Sequence, residues 1–394
     1  MPILPPIRTI TLGIAEPHPI PAPVIERAKT TLQHARVRYS EAGYEVQSVR
    51  LSTQPIFTNL TGWSVSAILA YVKELQSLLD AAGLEYCSLG PAQAAQPGFP
   101  LDRLQLIVDM LARTRAFSAT VQLATVEHGL RQEAAMPTAH IIQRLAQETP
   151  SGDGNFRFAM LACVAPGCPF FPAAYHAGPG SLSIGLQGAS IIREALLGHE
   201  AEMTIGLDMR LVTQWVSDSL NEQATPIVAL GQPLAQEHGL LFGGIDLSPA
   251  PMGEDSIVPA LELCAGGPLG TPGTVAAVAA VTAALKSTTL PTCGYCGLML
   301  PVLEDAMLGQ RWEEDYVNVH QLLFYSSVCG TGLDTIPLAG SHSVGEIAHL
   351  LLDVATLSLR LQKPLSARLF PIVGRQTGER TTFTSPYLTN TRIK

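Results

Sequence analysis

A chain of 394 residues, 47% hydrophobic and only 14% charged, excludes disorder and carries enough apolar side chains for one large α/β domain. A net charge of −9 with no basic run argues against nucleic acid or an anionic membrane as the main partner. Seven scattered cysteines, an odd number, do not read as a secreted disulfide framework, so reduced thiols in the cytoplasm are the expectation.

The first half alternates regularly. IRTITLGI (7–14) reads as a strand and is followed by a Pro-introduced helix ending at Gly43. A strand follows at 44–52, then a helix at 64–83 that is again ended by glycine. Strands at 85–90, 116–124 and 156–164 alternate with helices at 100–115 and 134–150, the last closed by Pro150. Five strands separated by four helices predict parallel pairing with right-handed crossovers.

Residues 165–240 are richer in Gly and Pro and read as a loopy crossover. It contains a helical stretch, 208–239, that Pro226 and Pro233 are expected to break or kink. Alternation then resumes. Strands are predicted at 239–248, 297–303 and 366–372, and helices at 256–264, 272–286, 311–325 and 344–362. No linker, low-complexity tract or charge block divides the chain, so a single domain is expected, with a first half at about 1–165 and a second at about 240–380. The longest apolar run, TVAAVAAVTAAL (274–285), is too short to span a bilayer, and MPILPPIRTITLG lacks the pattern of a signal peptide.

Several stretches carry chemistry-bearing residues. In FGGIDLSPAPMGEDS (242–256), Asp246 and Ser248 lie two apart and share a strand face, with Glu254, Asp255 and Glu262 beyond. Such a set suits a divalent cation such as Mg²⁺ or Ca²⁺, through Asp246, Glu254 and Glu262, or acid–base work. A helix cap with surface acids is the competing reading. In MLPVLED, Glu304 and Asp305 point opposite ways on a strand, so at most one enters a given site, and Asp305 reads as a helix N-terminal acid. PFFPAAYH offers Tyr175 and the proton shuttle His176, against a purely structural histidine. Cys293 and Cys296 form a lone C-x-x-C, with no second pair for zinc and no evident redox context. The glycine-rich entry to the 272–286 helix is neither a P-loop nor a dinucleotide fingerprint. It suits an anion at a helix N-terminus or close packing. Arg8, Arg50 and Arg368 lie on predicted strands, where a buried arginine needs an acidic partner or a carboxylate ligand. SSVCGTGLDTIPLAG (326–340) sets Cys329 and Asp334 on a glycine-rich segment, where Gly330 and Gly332 would make room for a ligand.

Taken together, RTITLGI, VQSVRLS, PFFPAAYH, GGIDLSPAP, GTPGTVAAVAAVTAALK, GLMLPVLED, CGTGLDTIPLAG and LSARLFPIVG, in this order from Arg8 to Glu379, resemble the uncharacterised family known as domain of unknown function 711, or uncharacterised protein family 0210. The resemblance implies a fold similar to pyruvate formate-lyase and other glycyl radical enzymes: a ten-stranded α/β barrel of two five-stranded parallel halves. It also implies a homodimer. Some relatives are encoded beside a small amino-acid-sensing domain protein, which hints at amino-acid or carboxylate metabolism. Glycyl-radical chemistry would pair Cys329 with Gly374. The radical loop R-V-x-G-Y has no copy here, since Ile372-Val373-Gly374-Arg375 lacks the tyrosine. Ser48 and Cys296 also depart from the family pattern, which expects threonine and serine there.

The expectation is an enzyme whose site lies inside the barrel, using Asp334, Cys329, Asp246, His176 and Glu304 in acid–base or metal-assisted catalysis of a lyase, isomerase or hydrolase step. Arg368, Arg8, Arg50, Ser248, Gly330 and Gly332 would hold a small carboxylate or amino-acid-like substrate. A non-catalytic metabolite sensor on the same scaffold is the alternative, and a structural dimer with a degenerate site is a third.

Overall fold

The computed structural model describes residues 4–203 and 208–394; residues 1–3 of the N-terminal stretch lie outside them. Ten strands among these residues join one sheet: β1 (Ile7–Gly13), β2 (Val49–Ser52), β3 (Cys87–Ala92), β4 (Phe117–Thr125), β5 (Gly129–Leu130), β6 (Phe158–Ala162), β7 (Ser181–Leu186), β8 (Leu241–Asp246), β9 (Gly332–Ala339) and β10 (Leu365–Ile372). Their spatial order is β8-β7-β1-β2-β3-β4-β6-β10-β9, with β5 hairpinned onto β4. The five strands β1-β2-β3-β4-β6 pair in parallel, as the β-α-β succession predicts. On either side of this block the direction reverses once. β7 is antiparallel to β1 and parallel to β8, and β10 is antiparallel to β6 and parallel to β9.

The sheet is open, so the barrel expected from the resemblance is seen only as this sheet. Both edges nevertheless meet one segment, 291–303. Ile245 of β8 bridges Thr292, and Asp334 of β9 bridges Pro301. The strand expected at 297–303 does not form a ladder. Pro291 and Pro301 have no N–H to give, and Gly294 and Gly297 weaken an extended run.

Two other expectations need correction. The "loopy" middle contains strand β7, whose alternation SLSIGL is regular, and a helix at Ala189–Leu197. One helix, Met209–Glu237, runs through both Pro226 and Pro233 rather than breaking. Its buried stripe, from Val212 to Ala235, outweighs a proline penalty of about 3 kcal/mol each. The single helix expected at 311–325 is two, Ala306–Glu313 and Val319–Tyr325, the second started by a capping box of Asn318 and Gln321. Other ends fall where the sequence puts them. Gly83 closes its helix in the left-handed conformation, and Ser343 with Glu346 opens Val344–Leu361.

The two faces of the sheet bury different things. Phe158, Met160 and Ala162 of β6 join the large core under the helices, whereas the alternate residues Ala159 and Leu161 join a smaller cluster with Phe170, Ala173, Ala250, Tyr295 and Met299. That second face carries the polar residues too. Register pairs Thr120 with Ala159 and Gln122 with Leu161. Among the described residues no helix is long and apolar enough to cross a membrane, and all seven cysteines are free.

Candidate functional site

A cavity of about 220 Å³ lies against this second face. Its charged wall contains Arg8, Arg50, Glu304, Asp334 and Arg368, five of the residues singled out from sequence. Irregularities in the ladders place two of the arginines. Arg8 is the extra residue where the β1–β7 register slips between Ile7 and Thr9. Arg368 stands opposite Asp334 and Thr335 where the β10–β9 register slips between Ala367 and Leu369, and Thr335 takes a left-handed φ of 45°. Bulges of this kind re-aim side chains, and strained φ/ψ is concentrated at working sites. Glu304 arrives in the turn between the bridges Pro301–Asp334 and Gly253–Asp305.

The charges alternate. Arg368 donates from Nε to Asp334 Oδ1 at 2.5 Å and from Nη2 to Glu304 Oε1. Arg8 Nη2 lies 3.9 Å from Glu304 Oε2, and its Nη1 donates to Gln47 Oε1 at 3.0 Å and to Met252 Sδ. All four of these ionisable groups are buried. Burial disfavours the Arg368 charge, but Asp334 and Glu304 outweigh it and hold that guanidinium above its ordinary pKa. Burial, with the nearby Asp334 charge, pushes Glu304 up, against the pull of Arg368 and Arg8.

Arg50 differs from both. Its Nε donates to Ser48 Oγ at 3.0 Å, and its guanidinium lies over the rings of Tyr86 and Phe171, 5.3 and 5.0 Å from their centroids. No carboxylate among the described residues forms an ion pair with it. Burial, then the repulsion of Arg8, lowers its pKa to about 10, which leaves it charged at neutral pH. A fourth arginine of the lining, Arg157, spends its donors on the carbonyls of Leu111, Thr114 and Phe117. The remaining wall is apolar or aromatic: Phe117, Ala159, Phe170, Ala173 and Met299, with Phe156 stacked on Tyr387 of the C-terminal segment. Among the described residues Ser118, a wall residue, carries a buried hydroxyl with no hydrogen-bond partner.

The other expected site residues lie elsewhere. Asp246 and Ser248 form a clamp. Asp246 Oδ1 accepts from Ser248 N, Ser248 Oγ and Cys296 N, and Oδ2 accepts from Tyr295 N at 2.8 Å, while Ser248 Oγ accepts from Gly297 N. Gly294 permits this approach, since a Cβ there would sit 2.1 Å from Asp246 Oδ2. Asp246 and Ser248 thus hold the loop that delivers Tyr295. His176 is buried with Nε2 against Pro179 O, packs on Gly13, and does not line the cavity. Cys329 is buried away from the cavity, its carbonyl taken by Lys363, and Gly374 is exposed beyond β10. The structure therefore gives a Cys329–Gly374 pair no place in this cavity.

Gly330 and Gly332 make room for backbone, not ligand. A Cβ on Gly332 would meet Ser366 O at 2.2 Å, and Gly330 and Gly297 pack Cα on Cα at a spacing that would put either Cβ 2.2 Å from the other's Cα. Gly330→Ala is expected to cost about 1–3 kcal/mol through forced backbone displacement, read as a lowered melting temperature by calorimetry. The cation set is not assembled either. Asp246 is spent on the clamp, Glu262 is held by Arg311 at 2.5 and 3.0 Å, and Glu254 is exposed. Among the described residues no group of three His, Cys, Asp or Glu is placed to hold a metal ion. Asp305 does what its position suggests. It caps helix Ala306–Glu313 by accepting from Leu308 N, so of the adjacent acids only Glu304 reaches the cavity. Sequence reading missed Ser118, Tyr86 and Phe171; the alternation of Ser118, Thr120 and Gln122 along β4 is the one signal that marked a polar inner face.

The model of a family described as "Uncharacterised ACR (DUF711)" matches residues 5–385. Proteins named "UPF0210 protein" are similar along most of the chain. That of Sulfurisphaera tokodaii is 26% identical over 350 residues, covering 84% of this chain and 75% of that protein. That of Oenococcus oeni is 22% identical over 399 residues, covering 95% and 87%. One from Bifidobacterium longum is 25% identical over 409 residues, covering 96% and 88%.

Proposed function

We propose that this chain, which belongs to the uncharacterised DUF711 family, is an enzyme that acts on a small carboxylate-bearing metabolite by acid–base chemistry, with Glu304 moving the proton. The observation that carries this reading is Glu304 itself: a buried carboxyl on the cavity wall, between Arg8 and Arg368, with its pKa raised. A raised carboxyl is a better base and a more available acid near neutral pH than an exposed one. Arg368 and Asp334 hold it in place, and the free edge of Arg50 offers a dock for the substrate carboxylate. The proton step rests on Glu304 and assigns no part to a cation.

We also read the sheet as the ten-stranded barrel of the pyruvate formate-lyase type, with segment 291–303 as the wall between β8 and β9. The five-strand parallel block, its two antiparallel seams and the bridges from both edges to that segment support this. A cytoplasmic homodimer belongs to the same proposal, and sedimentation analysis of the purified chain tests the dimer.

The test of the proton role is exchange of substrate carbon-bound hydrogen with solvent deuterium across a panel of small 2-oxo and 2-hydroxy acids, followed by NMR. Glu304→Gln is expected to slow the exchange by about 10²–10⁴-fold while leaving the dissociation constant of the same acid within a few-fold. The wild-type rate is expected to fall as pH drops through a value above 4.5, the ordinary pKa of a glutamate. Full activity in Glu304→Gln, or no turnover of any acid that binds, overturns the assignment. The second outcome favours the alternative, a metabolite sensor. That reading draws on the fact that Glu304 and Asp334 are both engaged by Arg368 and could serve only to hold the arginines.

A further inference from the structure

Three arginines from the strands reach the cavity, and two of them are already matched. Arg368 has both Asp334 and Glu304, and Arg8 has Glu304 and Gln47. Arg50 has neither acid. Its Nε is used by Ser48, and the rings of Tyr86 and Phe171 pack on the group, so what it has left for the cavity is the edge formed by its two Nη groups. The two parallel N–H bonds on that edge, one from each Nη, match the two oxygens of a carboxylate. The rest of the wall limits what else can enter. A second carboxylate would meet Asp334 and Glu304, whereas Phe117, Phe170, Ala173 and Met299 favour a hydrocarbon body. The volume of about 220 Å³ admits one ring or branched chain and little more.

We infer that the ligand of this cavity is a monocarboxylate with a compact apolar or aromatic body and at most neutral polar substituents, its carboxylate clamped by the free edge of Arg50. This deepens the proposed function and rests on its carboxylate substrate, but it is a statement about binding and holds whether or not Glu304 transfers a proton.

The test is isothermal calorimetry on the intact chain with four probes: 3-phenylpropanoate, its uncharged amide, 3-phenyllactate and the dicarboxylate glutarate. Both phenyl monocarboxylates are expected to bind. The amide and glutarate are each expected to bind at least about tenfold more weakly. Arg50→Gln is expected to weaken 3-phenylpropanoate by about thirtyfold or more while leaving the amide unchanged, and Arg50→Lys to recover part of the loss. The unchanged amide serves as the control that the variant is folded. Equal affinity of acid and amide, tighter binding of glutarate, unaltered acid binding in Arg50→Gln, or no binding of either phenyl monocarboxylate at millimolar concentration overturns the inference. Arg50-dependent binding with Glu304→Gln exchanging hydrogen at the wild-type rate would sink the proton role and leave this inference standing.

Discussion

Arg368→Met is expected to lower stability by about 3–5 kcal/mol, because it strands two carboxylates that the fold has taken out of water. Asp334 and Glu304 both bond to this one guanidinium, and all three groups are buried. For a chain of this length the loss corresponds to a melting temperature about 4–6 °C lower, read by scanning calorimetry. The pH dependence has a definite sign. Without Arg368 the folded-state pKa of Glu304, already raised by burial, rises further. A carboxyl raised in the folded state binds more protons there than in the unfolded chain, so stability falls as pH rises from the ordinary carboxyl pKa through the folded value. The deficit of the variant is therefore expected to be larger at pH 8 than at pH 5. Adding Glu304→Gln and Asp334→Asn to Arg368→Met removes the stranded charge and is expected to return most of the lost stability. A deficit independent of pH and untouched by the two amides would show that Arg368 matters through packing alone.

The same wall shows what sequence could and could not reveal. Arg8, Arg50 and Arg368 were recognisable because an arginine on a strand needs a partner, and Glu304 because adjacent acids cannot share a face. Which acid goes with which arginine was not legible. Arg8 and Glu304 are 296 positions apart, and Arg368 meets Asp334 only through a ladder that slips by one residue. Such slips leave no mark in a hydrophobic pattern. The parallel block β1-β2-β3-β4-β6 was legible because its strands alternate with helices along the chain. β7 was passed over because glycines and prolines crowd its flanks, although SLSIGL alternates cleanly. The reading of Gly330 and Gly332 erred for a related reason. Glycine reports a close approach but not of what, and at both positions it is another stretch of backbone.

Asp246→Ala is expected to cost about 3 kcal/mol or more, and to weaken ligand binding as a consequence of the lost structure. The carboxylate is wholly buried and accepts four hydrogen bonds, two of them from the backbone N–H groups of Tyr295 and Cys296. Each buried donor left without an acceptor costs about 1–3 kcal/mol. The loop so released carries Tyr295, which lines the cavity, so its position is set by Asp246 from outside. Asp246→Asn separates this clamp from the catalytic role that the sequence suggested. With its oxygen at the Oδ1 position the amide keeps the bonds from Ser248 N, Ser248 Oγ and Cys296 N, and sets an N–H₂ against the N–H of Tyr295. A clamp predicts a graded series, in which Asn loses about 1–3 kcal/mol and Ala loses more, with affinity for 3-phenyllactate declining in the same order. A proton-transfer group predicts the opposite division: Asn would abolish turnover as thoroughly as Ala while leaving stability and affinity near wild type. Denaturant unfolding, calorimetry and the hydrogen-exchange assay on the two variants decide between them.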